Sequence, residues 1–195
     1  IRPFRSGRDL SQVSRNLYAI DMFGKDEAEV RRGYPEVYQH LLDHVKPERD
    51  QNNRESYKNT WWIFSEPRSD LRPKIETIHR FIATTRTAKH RIFQFLDQQT
   101  LTETEVVNIA LSEAAFLSVL SSSAHRRWCA ATGGTLEDRP RYNHGLCFSP
   151  FPFPVLTPAQ RVTLRGLGEE LDAHRKDRQA QHPGLTLTQM YNVLE

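Results

Sequence analysis

The sequence lacks the features that assign a chain to several common classes. Its 195 residues contain only two cysteines, which argues against a disulfide framework and for a reducing compartment. No apolar run approaches the roughly eighteen residues that a membrane helix needs. The first residues show no charged and then apolar signal segment. We therefore expect a soluble cytoplasmic protein with no membrane partner. The start at Ile1 and the stop at "YNVLE" lead us to expect a piece of a longer protein.

The motifs of the common enzyme classes are missing as well. No glycine-rich turn leads from a strand into a helix, so neither a phosphate loop nor a dinucleotide site is predicted. No pair of acidic residues precedes an E-x-K motif, so the usual active site of a metal-dependent nuclease is not predicted. "SPFP" at 149–152 differs from the S-P-P-aromatic motif of amino-methyltransferases, because Phe151 stands where the second proline belongs. We predict no catalytic residue in this chain.

A few residue types suitable for metal binding are present, but their spacing is weak. His125 and Cys129 lie one helical turn apart, and His144 and Cys147 follow in the next segment. This spacing fits no strong zinc pattern, and we predict no metal site. His125 could also act as the base of a hydrolase, but no nucleophile accompanies it, so we favour a place on a polar helix face.

The hydrophobic pattern predicts a mixed α/β (α+β) protein in three parts: 1–78, 79–156 and 157–195. The first is helical, with one helix kinked or divided at Pro35 and ended by Pro47. The second is a small twisted, mostly antiparallel sheet with a packed helix that Ser112 caps, followed by a last extended segment at 146–154. The third is a long spacer helix beginning at Thr157 and Pro158.

Charge is unevenly distributed along the middle of the chain. Residues 72–91 are rich in lysine and arginine and contain one acid, Glu76, whereas 92–120 contain acids and neither lysine nor arginine. This segregation indicates one surface that faces a polyanion, although chance clustering on a solvated face is the alternative.

Two segments have the composition of nucleic-acid contacts. "RFIATTRTAKHRIFQF" predicts a hairpin with a basic connection around 87–89, which suits DNA phosphates or a groove. The predicted backbone or groove contacts are Arg80, Arg86, Lys89, His90, Arg91, Arg126 and Arg127.

The loop "GGTLEDRPRY" offers side chains that could recognise bases. Arginine donates two hydrogen bonds to guanine and a carboxylate accepts from cytosine, so the predicted base-reading residues are Glu137, Arg139 and Arg141. A surface loop whose charges pair with one another is the alternative. The tryptophans Trp61, Trp62 and Trp128 could stack on an extruded base, but we favour core positions for them.

The segment "CFSPFPFPVLTPAQRVTLRGLGEELDAHRK" resembles the end of the target-recognition domain of DNA methyltransferases and type I specificity subunits. Its prolines stiffen an edge segment and fix the angle of the following helix. With "RPFRSGRDL", "YPEVYQHLLDHVKPERDQNNR", "WWIFSEPRSDLR" and "RPRYNHGLCFSPFPFP", nearly the whole chain resembles the C-terminal part of MmeI-like type IIL N6-adenine DNA methyltransferases.

This resemblance implies a sequence-specific double-stranded DNA recognition domain of a restriction-modification enzyme. It also implies an upstream catalytic domain that uses S-adenosylmethionine, with no cofactor in this fragment, and in some members a nuclease. In that family a charged pair separated by one residue reads one base pair, which corresponds here to Glu137 and Arg139, with Arg141 nearby. The partners implied are duplex DNA and the parent's methyltransferase domain. The alternative is a protein-docking module of a larger DNA-processing complex.

Overall fold

The computed structural model describes residues 1–136 and 139–193, and the chain divides into two compact units. Unit 1 comprises residues 1–2 and 19–72, and unit 2 comprises residues 3–18 and 73–195. The division of the chain into functional parts at residues 78 and 156 stays a prediction.

Unit 1 is built from short helices: α2 (Glu27–Gly33), α3 (Pro35–His44), α4 (Lys46–Asp50) and α5 (Glu55–Asn59). Asp26 and Glu29 form a capping box at the start of α2, and Pro35 begins α3, so the proline separates two helices. Pro47 does not end the helical segment as predicted. It lies in the first turn of α4, where a missing N–H breaks no helical hydrogen bond. Trp61 is buried with Val30 in the core of this unit.

The centre of unit 2 is an antiparallel sheet with the strand order β4-β3-β6. Its strands are β3 (Arg80–Thr85), β4 (Gln94–Asp97) and β6 (Val106–Ile109). Every residue of β3 except Arg80 is buried. Since successive side chains of a strand point to opposite faces, both faces of this middle strand are covered. The predicted hairpin and its third strand are confirmed, although the connection between β3 and β4 extends over 86–93.

A second small sheet includes the beginning of the chain. The strand β1 (Arg2–Arg5) pairs in parallel with β5 (Leu101–Thr102) and is followed by β2 (Leu17–Ala19). The short helices of this region are α1 (Gly7–Ser11) and α6 (Arg72–Glu76). The Asp9 carboxylate accepts hydrogen bonds from Arg15 and Ser6, and the Arg15 guanidinium in particular holds the pKa of Asp9 far below its usual range.

The helical segment after the sheet consists of two helices, α7 (Ala114–Ser121) and α8 (Ser123–Thr132), where one was predicted. The backbone at Ser122 is extended, and its side chain accepts from His125 N to cap α8. Ser112 is not the cap of α7, because Glu113 occupies that position without a side-chain hydrogen bond. Serines favour such breaks since their hydroxyl groups compete for backbone hydrogen bonds.

The chain then forms a two-stranded hairpin, β7 (Gly134–Leu136) and β8 (Arg139–Arg141). The predicted extended segment at 146–154 is partly wrong, because His144–Phe148 forms a single π-helical turn before the proline run. Thr157 and Gln160 form a capping box, and Pro158 begins α9 (Pro158–Gln181), as predicted. The last helix is α10 (Leu187–Asn192).

Helix α9 packs closely on α7. A Cβ atom at Gly168 would lie 2.2 Å from Ala114 O, so only glycine allows this approach. Ser118 donates a hydrogen bond to Leu164 O at 2.6 Å, and Asp172 accepts one from Phe95 N at 3.1 Å. These contacts fix the predicted spacer helix to the sheet of its own unit.

The observed elements confirm the predicted mixed α/β fold. The three predicted runs of β-branched and aromatic residues form one sheet, and helices precede and follow it. Within residues 1–136 and 139–193, none of the helices has the length and apolar character needed to cross a membrane.

Candidate nucleic-acid interface

The two segments predicted to contact nucleic acid lie side by side in unit 2. Tyr142 N donates to Arg86 O at 2.6 Å, and Ala88 N donates to Pro140 O at 3.4 Å. Thr87 and Arg141 form an antiparallel bridge between these hydrogen bonds. The connection between β3 and β4 therefore runs along β8, which brings its basic residues next to the predicted base-reading residues.

Arg91 joins the two segments through its side chain. Its guanidinium donates to Thr85 O and, at 3.0 Å, to Pro140 O, and it lies 5.1 Å from the centre of the Tyr142 ring. Burial lowers the pKa of Arg91, but an arginine remains charged at neutral pH. The side chain is thus used within the protein, where it connects the carbonyl groups of both segments.

Lys89 and His90 are held by the last helix. Lys89 Nζ donates to Asn192 Oδ1 at 3.0 Å, and a ring nitrogen of His90 lies 2.7 Å from the same oxygen. Tyr191 accepts a hydrogen bond from Arg175 and places its ring 6.0 Å from the His90 ring. The position of the basic connection therefore depends on α10 as well as on β8. Lys89 nevertheless remains exposed.

Two of the three predicted base-reading residues lie in the β7–β8 hairpin. Arg139 and Arg141 belong to β8 and are exposed, and they pair with Leu136 and Gly134 respectively. Glu137 lies outside the described residues, as does Asp138. The hairpin therefore presents two arginines to solvent, one residue apart on the same strand.

A buried group of aromatic rings supports the hairpin and the connection. The Tyr142 ring contacts the rings of Phe93 and His125 with centroid separations of 5.4 Å and 5.9 Å. His125 is fully buried, and its Nδ1 lies 2.9 Å from Leu120 O. The predicted polar helix face for His125 is therefore wrong, and burial also removes it from any substrate that a hydrolase would need to reach. Burial lowers the pKa of His125, which favours the neutral ring.

The candidate zinc ligands His125, Cys129 and Cys147 belong to the same buried group of side chains beneath the hairpin and the connection. Cys147 is buried, and Cys129 Sγ lies 3.6 Å from His125 Nε2. Burial, followed by the neighbouring Cys147, raises the pKa of Cys129 to about 12, which disfavours the thiolate that a metal requires. Within the part of the chain that the structure describes, no three histidine, cysteine or acidic side chains are arranged to hold a metal ion.

Not all of the other residues predicted to contact DNA lie beside the hairpin and the connection. Arg80 lies at the opposite end of β3 from Arg86, about 20 Å away at the usual rise per strand residue. Its guanidinium forms a two-point ion pair with Glu169 of α9 and stacks on Phe95 at 3.8 Å. Arg126 and Arg127 are exposed on α8.

The tryptophans occupy structural positions, as favoured from the sequence. Trp61 is 3% exposed in unit 1, and Trp62 Nε1 donates to Lys25 O at 2.9 Å. Trp128 Nε1 donates to Cys147 O at 3.1 Å in unit 2. The indole N–H groups of Trp62 and Trp128 thus join neighbouring segments of their own unit.

The sequence reasoning missed Tyr142, Tyr191 and Asn192 as parts of this site. Tyr142 follows the charged loop directly, and a large aromatic residue beside exposed charges is a signal that a core contact begins there. Asn192 gives no such signal, because its two partners, Lys89 and His90, are about a hundred residues away in the chain.

The sequence of this chain matches a known family. Residues 1–155 match the family model described as "MmeI, target recognition domain". "DNA methyltransferase A" of Bacillus subtilis (strain 168) is 32% identical over 82 residues, which are 42% of this chain and 9% of that protein.

The fold also matches a solved structure. That structure is the type IIL restriction-modification enzyme MmeI in complex with DNA, with a TM-score of 0.73 over 97% of this chain. The sequence identity is 20%, so the likeness establishes the fold. This chain covers 24% of the MmeI chain and therefore spans only a part of its length.

Proposed function

The chain belongs to the family of MmeI target recognition domains, and from this premise we propose that it reads the sequence of double-stranded DNA for an adenine-specific methyltransferase. The single observation that carries the proposal is the hydrogen-bonded alignment of the basic connection 86–93 with β8. One duplex can meet both segments at once, with phosphates on the connection and base edges on the hairpin. Family membership favours this function over a docking module.

We assign the exposed arginines of β8 to hydrogen bonds with the edges of the bases. Arg139 and Arg141 are separated by one residue, so both project from the same face of the hairpin. A two-stranded ribbon fits the major groove of B-DNA, where arginine donates two hydrogen bonds to guanine O6 and N7. Glu137 keeps its proposed role as the partner of Arg139 at the same base pair.

We assign the connection 86–93 to contacts with the DNA backbone. Arg91 is the exception, because it positions the connection and does not contact DNA. Arg86, Lys89 and His90 would contact phosphates or lie in a groove, and Arg126 and Arg127 would add to the positive potential. Arg91 acts by positioning, because its guanidinium connects Thr85 O to Pro140 O. Arg80 contributes to the packing of α9 on the sheet.

The proposed parent protein supplies the chemistry. A catalytic domain outside this chain would bind S-adenosylmethionine and transfer the methyl group, and this domain would contact that catalytic domain and the DNA. The low cysteine content is consistent with a cytoplasmic protein.

The test is selection of binding sites from a library of randomised duplexes, followed by measurement of Kd against salt. Arg139→Ala should change the preferred base at one position and cost about 1–3 kcal/mol on the wild-type site. Lys89→Ala should weaken all sequences alike and reduce the salt slope by about one. Arg161→Ala removes the same charge from α9, where it pairs with Glu113, and serves as the control.

The proposal fails if the wild-type chain enriches no sequence at low salt. It also fails if both variants bind every duplex as the wild type does.

A further inference from the structure

Leu136 is a large apolar side chain in the middle of the charged hairpin. It is 53% exposed and lies directly opposite Arg139 in the β7–β8 pair. An exposed leucine is ordinary on a protein surface. This one is distinguished by its position on the hairpin, opposite an arginine assigned to the bases.

The pairing of the strands places Leu136 on the same face as both arginines. Directly opposite residues of an antiparallel pair project to the same side, and so does every second residue along a strand. Leu136, Arg139 and Arg141 therefore share one face, whereas Thr135 and Pro140 share the other. Gly134 is opposite Arg141, and a Cβ atom there would meet nothing within 4 Å. The face thus consists of one apolar and two cationic side chains, with open space at Gly134.

The edges of base pairs in the major groove contain one apolar group that matches such a side chain. Guanine, cytosine and adenine display hydrogen-bonding groups there, and thymine adds the C5 methyl group. Leucine has no hydrogen-bonding atom in its side chain, so it discriminates by burying a methyl group and by excluding polar edges.

We propose that Leu136 reads the C5 methyl group of a thymine at the base pair contacted by Arg139 or at the one next to it. Opposite side chains in a ribbon have Cβ atoms about 4.5–5.5 Å apart, and successive base pairs are about 3.4 Å apart. The two side chains therefore reach the same base pair or adjacent ones. This inference rests on the proposed function, since it requires the hairpin to enter the major groove.

The experiment uses duplexes that carry the sequence selected by the wild-type chain. Each thymine of the site is replaced in turn by deoxyuridine, which removes only the C5 methyl group. The wild-type chain should bind one of these duplexes about fourfold more weakly, the factor that corresponds to about 0.8 kcal/mol for one buried carbon group. Leu136→Ala should bind the thymine and uracil duplexes equally at that position, while it keeps the dependence on guanine that Arg139 provides.

Thr135→Ala is the matched control, because Thr135 lies on the same strand but on the opposite face. It should retain the fourfold preference for thymine. Thermal unfolding of both variants shows whether the hairpin change affects the folded domain, and a retained preference in Leu136→Ala at an unchanged melting temperature would contradict the inference.

Failure of the inference can be told apart from failure of the proposed function. If the wild-type chain selects a site that Arg139→Ala alters, but no thymine at or beside the altered position shows a uracil effect, only the role of Leu136 is overturned. If the wild-type chain selects no site, the proposed function fails and this inference fails with it.

Discussion

The arginines of the β7–β8 hairpin and those of strand β3 and its connection have the same chemistry but different surroundings. Arg139 and Arg141 are exposed on a two-stranded ribbon. Arg80 instead pairs with Glu169, and Arg91 donates to the carbonyl groups of Thr85 and Pro140. Both pairs contribute to the positive charge of the chain, but the first pair is exposed, whereas Arg80 and Arg91 are partly buried by their contacts within the protein.

The difference shows that the count of cations along a segment overstates the charge available to DNA. Hydrogen bonds from a charged donor to buried carbonyl groups are among the stronger ones in a protein, so such an arginine contributes to stability. An exposed arginine contributes little to stability. Substitutions in the two regions should therefore separate folding from recognition.

The largest effect is expected where α9 packs most closely on α7. Gly168→Ala places a Cβ atom 2.2 Å from Ala114 O, so α9 must move away from α7. We expect a loss of about 2–3 kcal/mol in the free energy of unfolding, measured by urea denaturation.

Gly166→Ala is the control for this change, because no atom lies within 4 Å of the added Cβ on the same helix. It should raise the free energy of unfolding by up to about 1 kcal/mol, since alanine favours the helix over glycine. Equal stability of the two variants would show that α9 does not depend on this contact.

An intermediate effect is expected at Arg91. Arg91→Ala leaves Pro140 O and Thr85 O without their charged donor, which should cost about 1.5–3 kcal/mol of unfolding free energy and weaken DNA binding. Arg141→Ala should change the free energy of unfolding by less than about 0.5 kcal/mol and change only binding. Urea denaturation and gel shifts on both variants test the comparison. The positioning role is wrong if Arg91→Ala is as stable as Arg141→Ala.

The smallest expected effect is a pH dependence of the free energy of unfolding that arises from the buried His125. Burial lowers the pKa of His125 below its usual value of 6.5, so below pH 6.5 the unfolded chain takes up a proton that the folded chain does not. The contribution of His125 is therefore full above pH 6.5 and is lost as the pH falls toward its folded pKa. His125→Gln should reduce this fall in the free energy of unfolding between about pH 7 and pH 5. An unchanged pH profile in the variant would show that another group causes it.

Much of the fold could be predicted because it depends on local patterns. The β3–β4 hairpin follows from β-branched and aromatic runs on either side of a polar connection, and α9 follows from Thr157 and Pro158 at its start. The break at Ser122 and the π-helical turn at His144–Phe148 could not be predicted. Both depend on how α8 and the following segment pack, and periodicity alone does not distinguish one continuous helix from two.

The site was predictable as a set of segments and less so as a set of residues. The basic connection and the loop 133–142 were found from composition, and the structure places them side by side. Arg80 and Arg91 were assigned to DNA because their charge is visible in the sequence. Their partners are not, since Glu169 is 89 residues from Arg80 and Pro140 is 49 residues from Arg91.

The sequence by itself determined the mixed α/β class, the β3–β4 hairpin with its third strand, helix α9 and the family, because hydrophobic period, capping residues and motif strings are properties of neighbouring residues. Only the tertiary structure decided which cations pair within the protein, which histidine is buried and which side chains share a face with Arg139. Those outcomes depend on hydrogen bonds and packing between residues far apart in the chain, and a donor that finds a carbonyl or carboxylate inside the protein is no longer offered to a ligand.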